Sequence, residues 1–293
     1  MPPTLAPIAH WHGRMVSGGF MTYAATRTRT GRGHVVLAVC GVLLAGCSGL
    51  GDGGHRTGPS ASSSVTSPAA QRGTGEVTTR FTVDPARVPT TPSAALDLVR
   101  AITAGPDSYG PGYVKNPPYE SDPAAWPVLG TDCVWRQESL PGDVLATFTR
   151  HSRLPAAGPK GEVRTAATVT LHRTVAQADQ EMAETLEEAL RCPDQQLRAT
   201  ERITGLNSMG SGYGTNGNTT ADDYLIEMGT YDNPALGKGS TYYIWNQVRL
   251  GPVTIAVVVE GGKGFGQGDL LTVQARAVAG METKVRTALG VQK

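Results

Sequence analysis

The chain contains 293 residues and carries a formal net charge of +1, with 37 glycines and 20 prolines spread unevenly along it. This near-neutral charge provides no basic surface to offset phosphates, so nucleic acid is excluded as a partner. About two hundred C-terminal residues have apolar periodicity, and a domain of that size can bury roughly 70% of its unfolded surface without a metal.

The N-terminal segment has the order of charges and apolar residues that is typical of a signal peptide. Three arginines within residues 27–32 precede an apolar run at 35–44. This run covers only about half of a 30 Å hydrocarbon core, so it is too short to span a membrane. We interpret residues 1–46 as a signal peptide, with residues 1–20 translated from a wrongly assigned upstream start codon.

The apolar run ends in Leu44-Ala45-Gly46-Cys47. The small Ala45 and Gly46 would let a peptidase cut just before Cys47, whose thiol could accept a lipid. This arrangement resembles the lipobox of bacterial lipoproteins, which implies that Cys47 carries diacylglycerol and a palmitate-type chain. Two or three acyl chains anchor a protein durably. We therefore expect attachment to the outer face of the cell membrane; the alternative is an ordinary secretory signal peptide.

The segment after Cys47 is rich in Ser, Gly, Pro and Thr, including the run at 60–64. Such a composition cannot bury enough apolar surface to offset its ordering entropy. We expect residues 47–84 to form a disordered stalk with a reach of about 30 Å. The stalk would hold a single globular domain, residues 85–293, clear of the headgroups.

Three helices are predicted in this domain from apolar residues at helical spacing. The first spans 93–103. The second begins after Thr174, which forms a capping box with Gln177. The third begins with Asp269 as its N-cap and ends before Gly290.

Short alternating or apolar segments predict β-strands. They lie at 133–137, 144–150, 163–172, 197–203, 224–230, 242–250 and 253–260. Short connections favour antiparallel pairing, and the polar stretch 205–223 indicates a long, mobile surface loop. The predicted fold class is α+β, an antiparallel β-sheet with helices packed on one face.

The last two strands flank a turn at 251–252 and predict a hairpin. A loop with an even number of residues would place Trp245 opposite Val258. It would leave large aromatic rings on the face of the sheet that points away from the core. Such rings must be covered, either by the segment 109–126 or by a ligand in a groove. The candidate ligand-binding residues are Tyr243, Trp245, Gln247 and Arg249.

Cys133 and Cys192 are the two cysteines of the proposed mature domain. An even pair outside the cytoplasm predicts a disulfide, which would stabilise the fold by roughly 4 kcal/mol through chain entropy. No second cysteine or histidine cluster accompanies them, so neither a zinc site nor a catalytic thiol is predicted.

No spacing in the sequence indicates a catalytic site, a metal site or a cofactor site. We interpret His172 as a solvated residue at a strand end and Ser208 as part of a loop. A hydrolase using Ser208 or His172 remains a rival hypothesis. The acidic residues predicted on the water-facing side of the second helix are Glu181, Glu184, Glu187 and Glu188.

The helix ending at Cys192, the hairpin around 250–253 and the C-terminal helix together resemble secreted actinobacterial lipoproteins. Those in turn look like the extracellular sensor domain of a mycobacterial Ser/Thr kinase. The resemblance covers residues 90–290 as a pattern and implies an antiparallel sheet, disulfides and a cleft for an unknown ligand. This chain departs from that family in having one cysteine pair rather than two and no kinase domain.

These observations predict a non-enzymatic, lipid-anchored protein of the cell envelope with a ligand-binding or sensor-like domain. Its expected partners are the membrane and an unknown small ligand. The alternative is a structural or assembly partner that docks an envelope membrane protein through the aromatic face.

Overall fold

The computed structural model describes residues 80–215, 217–237, 239 and 241–291. The predictions for the signal peptide, for Cys47 and for most of the stalk lie outside the described residues. None of the helices in the described ranges is long and apolar enough to cross a membrane.

The strands and helices occupy most of the described part of the chain. The strands are β1 Val114–Glu120, β2 Ala125–Leu129, β3 Trp135–Ser139, β4 Val144–Leu154, β5 Val163–His172, β6 Gln195–Arg198, β7 Glu201–Gly212, β8 Asp223–Asp232, β9 Thr241–Leu250 and β10 Val253–Gly261. The helices are α1 Pro92–Ile102, α2 Val175–Arg191 and α3 Gln267–Leu289.

Eight strands form one curled antiparallel sheet in the order β1-β4-β5-β10-β9-β8-β7-β6. The strands β2 and β3 form a separate two-stranded hairpin. Most neighbours in the large sheet are consecutive in the chain, as expected where short turns join antiparallel strands. The prediction of an α+β fold built on an antiparallel sheet is confirmed.

The register of β9 and β10 sorts the residues of the sheet onto two faces. Trp245 pairs with Val258 and Val248 pairs with Ile255, as predicted for an even loop. The first face carries the aliphatic core that packs against α1 and α3. The helix α2 lies on the second face, where its Glu181 bonds to Gln247. Two helices therefore share one face, and the third covers the other.

The ends of the helices follow the predicted signals with one correction. Thr174 Oγ1 accepts a hydrogen bond from the backbone N–H of Gln177 (3.2 Å), so the predicted cap of α2 is confirmed. The helix α3 begins earlier than predicted, with Gly266 as its N-cap. Asp269 lies inside the first turn, where its carboxylate accepts from the N–H of Gly266 (3.3 Å).

Three strand predictions need correction. The predicted strand 197–203 contains a turn and belongs to two strands, β6 and β7. The segment 205–212, predicted as a mobile loop, is the second half of β7 and pairs with β8. The strands β1 and β2 escaped prediction because both contain proline, which is tolerated only at sheet edges or in irregular pairs.

Residues 80–84 belong to the folded domain, although the sequence placed them in the stalk. The N–H of Asp84 donates to the carbonyl of Leu289 (2.8 Å), and Val83 forms a β-bridge with Gly290. The guanidinium of Arg286 lies 5.2 Å from the ring centre of Phe81. The chain therefore enters the domain along the C-terminal end of α3.

A disulfide joins Cys133 to Cys192, as predicted, with 5.5 Å between their Cα atoms. The bond ties the turn before β3 to the C-cap of α2. Because 59 residues separate the two cysteines, this cross-link restricts a long loop of the unfolded chain, worth roughly 4 kcal/mol.

Candidate ligand-binding cavity

The second face of the sheet carries a cavity of about 720 Å³. This volume lies within the range of roughly 300–1,000 Å³ that small-molecule sites occupy. The floor is formed by β4, β5, β8, β9 and β10, and the sides by α2 and β6. The β2–β3 hairpin and the end of β1 complete the enclosure.

The floor leaves room for a ligand because its strands carry small side chains on this face. Thr168 and Thr170 of β5 and Ala256 of β10 all line the cavity. The hydroxyl of Thr168 bonds to that of Thr149 (2.8 Å), and the hydroxyl of Thr170 bonds to that of Thr147 (3.0 Å). These cross-strand pairs satisfy polar atoms within the floor.

Aromatic rings line the cavity from both the hairpin and the sheet. Trp126 and Trp135 come from the hairpin, and Tyr243 and Trp245 come from β9. The three tryptophans are all those of the described residues. The Nε1 atom of Trp245 is buried and has no hydrogen-bond partner within the described ranges. Such rings can contact an apolar part of a ligand from two sides.

The hairpin is held in place by contacts with the segment that follows α2. Besides the disulfide at Cys133, the Nε1 of Trp135 donates to Oε1 of Gln195 (2.8 Å). The N–H of Gln196 donates to the carbonyl of Cys133 (2.9 Å), and Arg191 donates to the carbonyl of Gly130 (3.1 Å). One covalent and three hydrogen-bonded links therefore position this side of the enclosure.

Two of the four acidic residues of α2 are partly buried at the cavity, and a third borders the cavity while remaining exposed. Glu181, Glu184 and Glu188 line the cavity at helical spacing. Glu187 points away, is 60% exposed and pairs with Arg191 (3.0 Å). The interpretation of all four as a water-facing set is therefore wrong for Glu181 and Glu188, which packing against the sheet partly buries, whereas Glu184 and Glu187 are exposed as predicted.

Glu181 connects α2 to the sheet. Its carboxylate accepts hydrogen bonds from Gln247 Nε2 (3.0 Å) and Thr254 Oγ1 (2.6 Å), and it lies 2.6 Å from His172 Nε2. His172 is only 2% exposed, which corrects its interpretation as a solvated residue. These partners belong to three adjacent strands, so Glu181 fixes the height of α2 above the floor.

Arg249 is a second anchor of α2. It is 5% exposed and donates from Nε to Asp223 Oδ2 (2.7 Å). Its guanidinium also lies 3.6 Å from Asp179 on α2 and 3.6 Å from Asp222. A buried arginine surrounded by three carboxylates is fully occupied by them.

The four predicted ligand-binding residues thus divide into two pairs. Tyr243 and Trp245 line the cavity, whereas Gln247 and Arg249 hold α2 against the sheet. Trp126, from the predicted covering segment 109–126, lines the cavity, and a ligand as the second covering stays a prediction. Lining residues on β6, β8 and α2 were not predicted, because their burial depends on strands that are distant in the sequence.

Three carboxyl groups around Tyr243 have raised pKa values. Burial raises the pKa of Glu188, of Glu227 and of Glu260 to about 7 in each case. Glu227 is 5% exposed, and its Oε1 atom has no hydrogen-bond partner among the residues described. All three carboxyls also act on Tyr243, whose pKa burial raises well above its usual value. They therefore surround one part of the cavity.

The cations at the cavity wall are already paired. Arg198 is bonded to Glu201, and Arg136 donates to Asp132 (2.7 Å). Arg164 donates from Nε to Glu162 (2.8 Å). Burial lowers the pKa of His151, which keeps its imidazole neutral at neutral pH.

The two residues of the hydrolase hypothesis have separate partners. His172 bonds to Glu181, whereas Ser208 on β7 lies opposite Glu227 in the sheet register. No group of three or more His, Cys, Asp or Glu side chains in the described ranges is arranged to hold a metal ion.

No family model matches this chain, and neither the curated proteins nor the solved structures compared with it include a match.

Proposed function

We propose that this protein is a lipid-anchored, extracytoplasmic binding protein of the cell envelope that holds a small ligand in the cavity and performs no chemistry on it. The cavity of about 720 Å³ carries the proposal, since it is concave, lined by aromatic rings and large enough for a small molecule. The resemblance of Leu44-Ala45-Gly46-Cys47 to a lipobox supports this location. The resemblance to secreted lipoproteins, which look like the sensor domain of a kinase, agrees with it.

The enclosure favours a small ligand over a docked protein. Docking through the aromatic face would require its rings to be on the surface, whereas Tyr243 is 7% exposed and Trp245 is half-buried in the wall of the cavity. A sensor-like domain needs a ligand-sized space of this kind, and an assembly partner does not.

A screen for ligands tests the proposal. Cell-wall fragments, lipids, amino acids, sugars and organic amines would be added to the purified domain. Intrinsic fluorescence would report on binding because every tryptophan of the described residues lines the cavity. We expect at least one class to change the fluorescence and to raise Tm, as any ligand specific for the native state must.

A cavity-filling variant locates the site. Ala256 is 6% exposed and lies on the floor, so Ala256→Phe places a ring inside the cavity and should abolish binding. Ala183→Phe on the exposed side of α2 is the matched control and should bind as the parent does. Undiminished binding by Ala256→Phe, or the failure of every compound in the screen, would refute the proposal.

A further inference from the structure

Glu227 lies in a position that the fold alone does not explain. In the sheet register, a row runs across the second face from His151 through Val258 and Trp245 to Glu227. The carboxyl group of Glu227 is buried between Trp245 on β9 and Ser208 on β7, which continues the row. One of its oxygens has no hydrogen-bond partner in the described part of the chain, although nearly all buried polar atoms have one.

Two more carboxyls lie on neighbouring elements around the same rings. Glu260 of β10 pairs in register with Tyr243 of β9, and Glu227 of β8 pairs with Trp245. Glu188 approaches from α2 and raises the pKa of Glu227 through its charge. The three groups therefore lie around an aromatic pair rather than at a solvent-exposed edge.

The protein balances the charge of this region only in part, because Arg164 and Arg198 act on Glu260 and Arg191 acts on Glu188, whereas Glu227 has, among the described residues, only Ser208 and Glu188 acting on it. The arginines of the cavity wall are committed to other carboxylates, namely Glu201, Asp132 and Glu162. An anionic ligand would meet three acidic side chains, and a neutral ligand would leave the buried Oε1 of Glu227 without a partner. A cation would supply the missing partner.

The aromatic rings and the spacing of the carboxyls favour an organic cation over a metal ion. The three carboxyls come from α2, β8 and β10 and do not converge on one point as metal ligands would. Instead they surround Tyr243 and Trp245, whose ring faces attract a cation that carries apolar groups. An alkylated ammonium group satisfies both features at once.

We propose that the cavity binds an organic cation, an ammonium group with apolar substituents, held between the carboxyls of Glu188, Glu227 and Glu260 and the rings of Tyr243 and Trp245. This inference rests on the proposed function and specifies the class of its ligand. The unpaired oxygen of Glu227 and the paired state of the surrounding arginines are the observations that carry it.

Choline and its uncharged isostere neohexyl alcohol test the proposal on the intact domain. The two compounds have nearly the same shape and differ in one charge. Titration followed by tryptophan fluorescence and calorimetry should show choline binding at least about tenfold more tightly, the size of effect that a desolvated cation–π contact gives. Equal affinity for the two compounds would overturn the proposal.

Variants assign the effect to the carboxyls. Glu227→Gln and Glu188→Gln keep the side-chain size, and each should weaken choline binding by roughly fivefold or more while leaving binding of neohexyl alcohol unchanged. Glu187→Gln is the matched control, because Glu187 is the exposed neighbour of Glu188 on the same helix. Unchanged choline affinity in both cavity variants would overturn the proposal.

The screen described above separates this proposal from the function on which it rests. If neutral or anionic compounds bind in the cavity and choline and other amines do not, the cation assignment falls and the binding function remains. If no compound of any class binds, both fall.

Discussion

At the scale of single residues, we expect the burial of Glu227 to lower the free energy of unfolding at neutral pH. Burial raises its pKa from 4.5 to about 7, so between these values the folded state holds a proton that the unfolded state releases. Stability must therefore fall as the pH rises from about 4.5 to about 7. Above that range the loss approaches roughly 3 kcal/mol, at about 1.4 kcal/mol per pKa unit.

The variant Glu227→Gln removes this ionisation without changing the size of the side chain. We expect it to unfold at a higher temperature than the parent at pH 8 and at nearly the same temperature at pH 4.5. Thermal denaturation followed by circular dichroism at both pH values measures the difference. Glu188 on α2 and Ser208 on β7 also act on Glu227, so both must remain unchanged in the comparison.

Glu187→Gln is the control for this experiment as well, because Glu187 is exposed and pairs only with Arg191 among the described residues. Surface substitutions of this kind usually change stability by less than about 0.5 kcal/mol. If Glu227→Gln is less stable than the parent at pH 8, Glu227 has a structural partner and the argument for an unpaired carboxyl is wrong.

At the scale of elements, the β2–β3 hairpin depends on the disulfide. The hairpin forms its own two-stranded sheet and is joined to the α2–β6 segment through the Cys133–Cys192 disulfide, the Trp135–Gln195 hydrogen bond and a β-bridge between Val134 and Gln196. The disulfide is therefore the covalent link that holds this side of the cavity in position.

Reduction of the disulfide should loosen the hairpin before the rest of the fold. We expect a lower Tm, corresponding to a loss of up to about 4 kcal/mol, and faster hydrogen exchange in residues 125–139 with little change in α3. Mass spectrometry of exchanged peptides measures this directly. The double variant Cys133→Ser/Cys192→Ser should not respond to reductant, and unchanged exchange in the hairpin of the reduced parent would contradict the expectation.

At the scale of the whole molecule, the proposed anchor would place the domain outside the cell. Cells supplied with a clickable palmitate analogue should label the wild-type chain, and Cys47→Ala should lose the label because no acylated cysteine remains. Cys40→Ala is the matched control, since Cys40 lies in the same apolar segment but before the proposed cleavage site. Retained labelling of Cys47→Ala would remove the basis for the location.

Predictions from the sequence are confirmed where the structural feature depends on residues that are close together in the chain. The cap at Thr174, the β9–β10 register and the pairing of Cys133 with Cys192 are confirmed. A cap depends on neighbouring residues, a register depends on alternation and turn length, and only one cysteine pairing was available. The predictions failed in β1 and β2, where proline obscures the strand pattern.

The sequence by itself determined the α+β class, the two faces of the β9–β10 hairpin and the candidate rings Tyr243 and Trp245. Only the tertiary structure decided that α2 crosses to the second face and that Glu181, Glu184 and Glu188 border a cavity. Helical periodicity shows which residues of α2 share a side, but not which face of the sheet that side will meet. Burial of Glu227 likewise depends on strands and a helix distant in sequence, and no local pattern encodes such contacts.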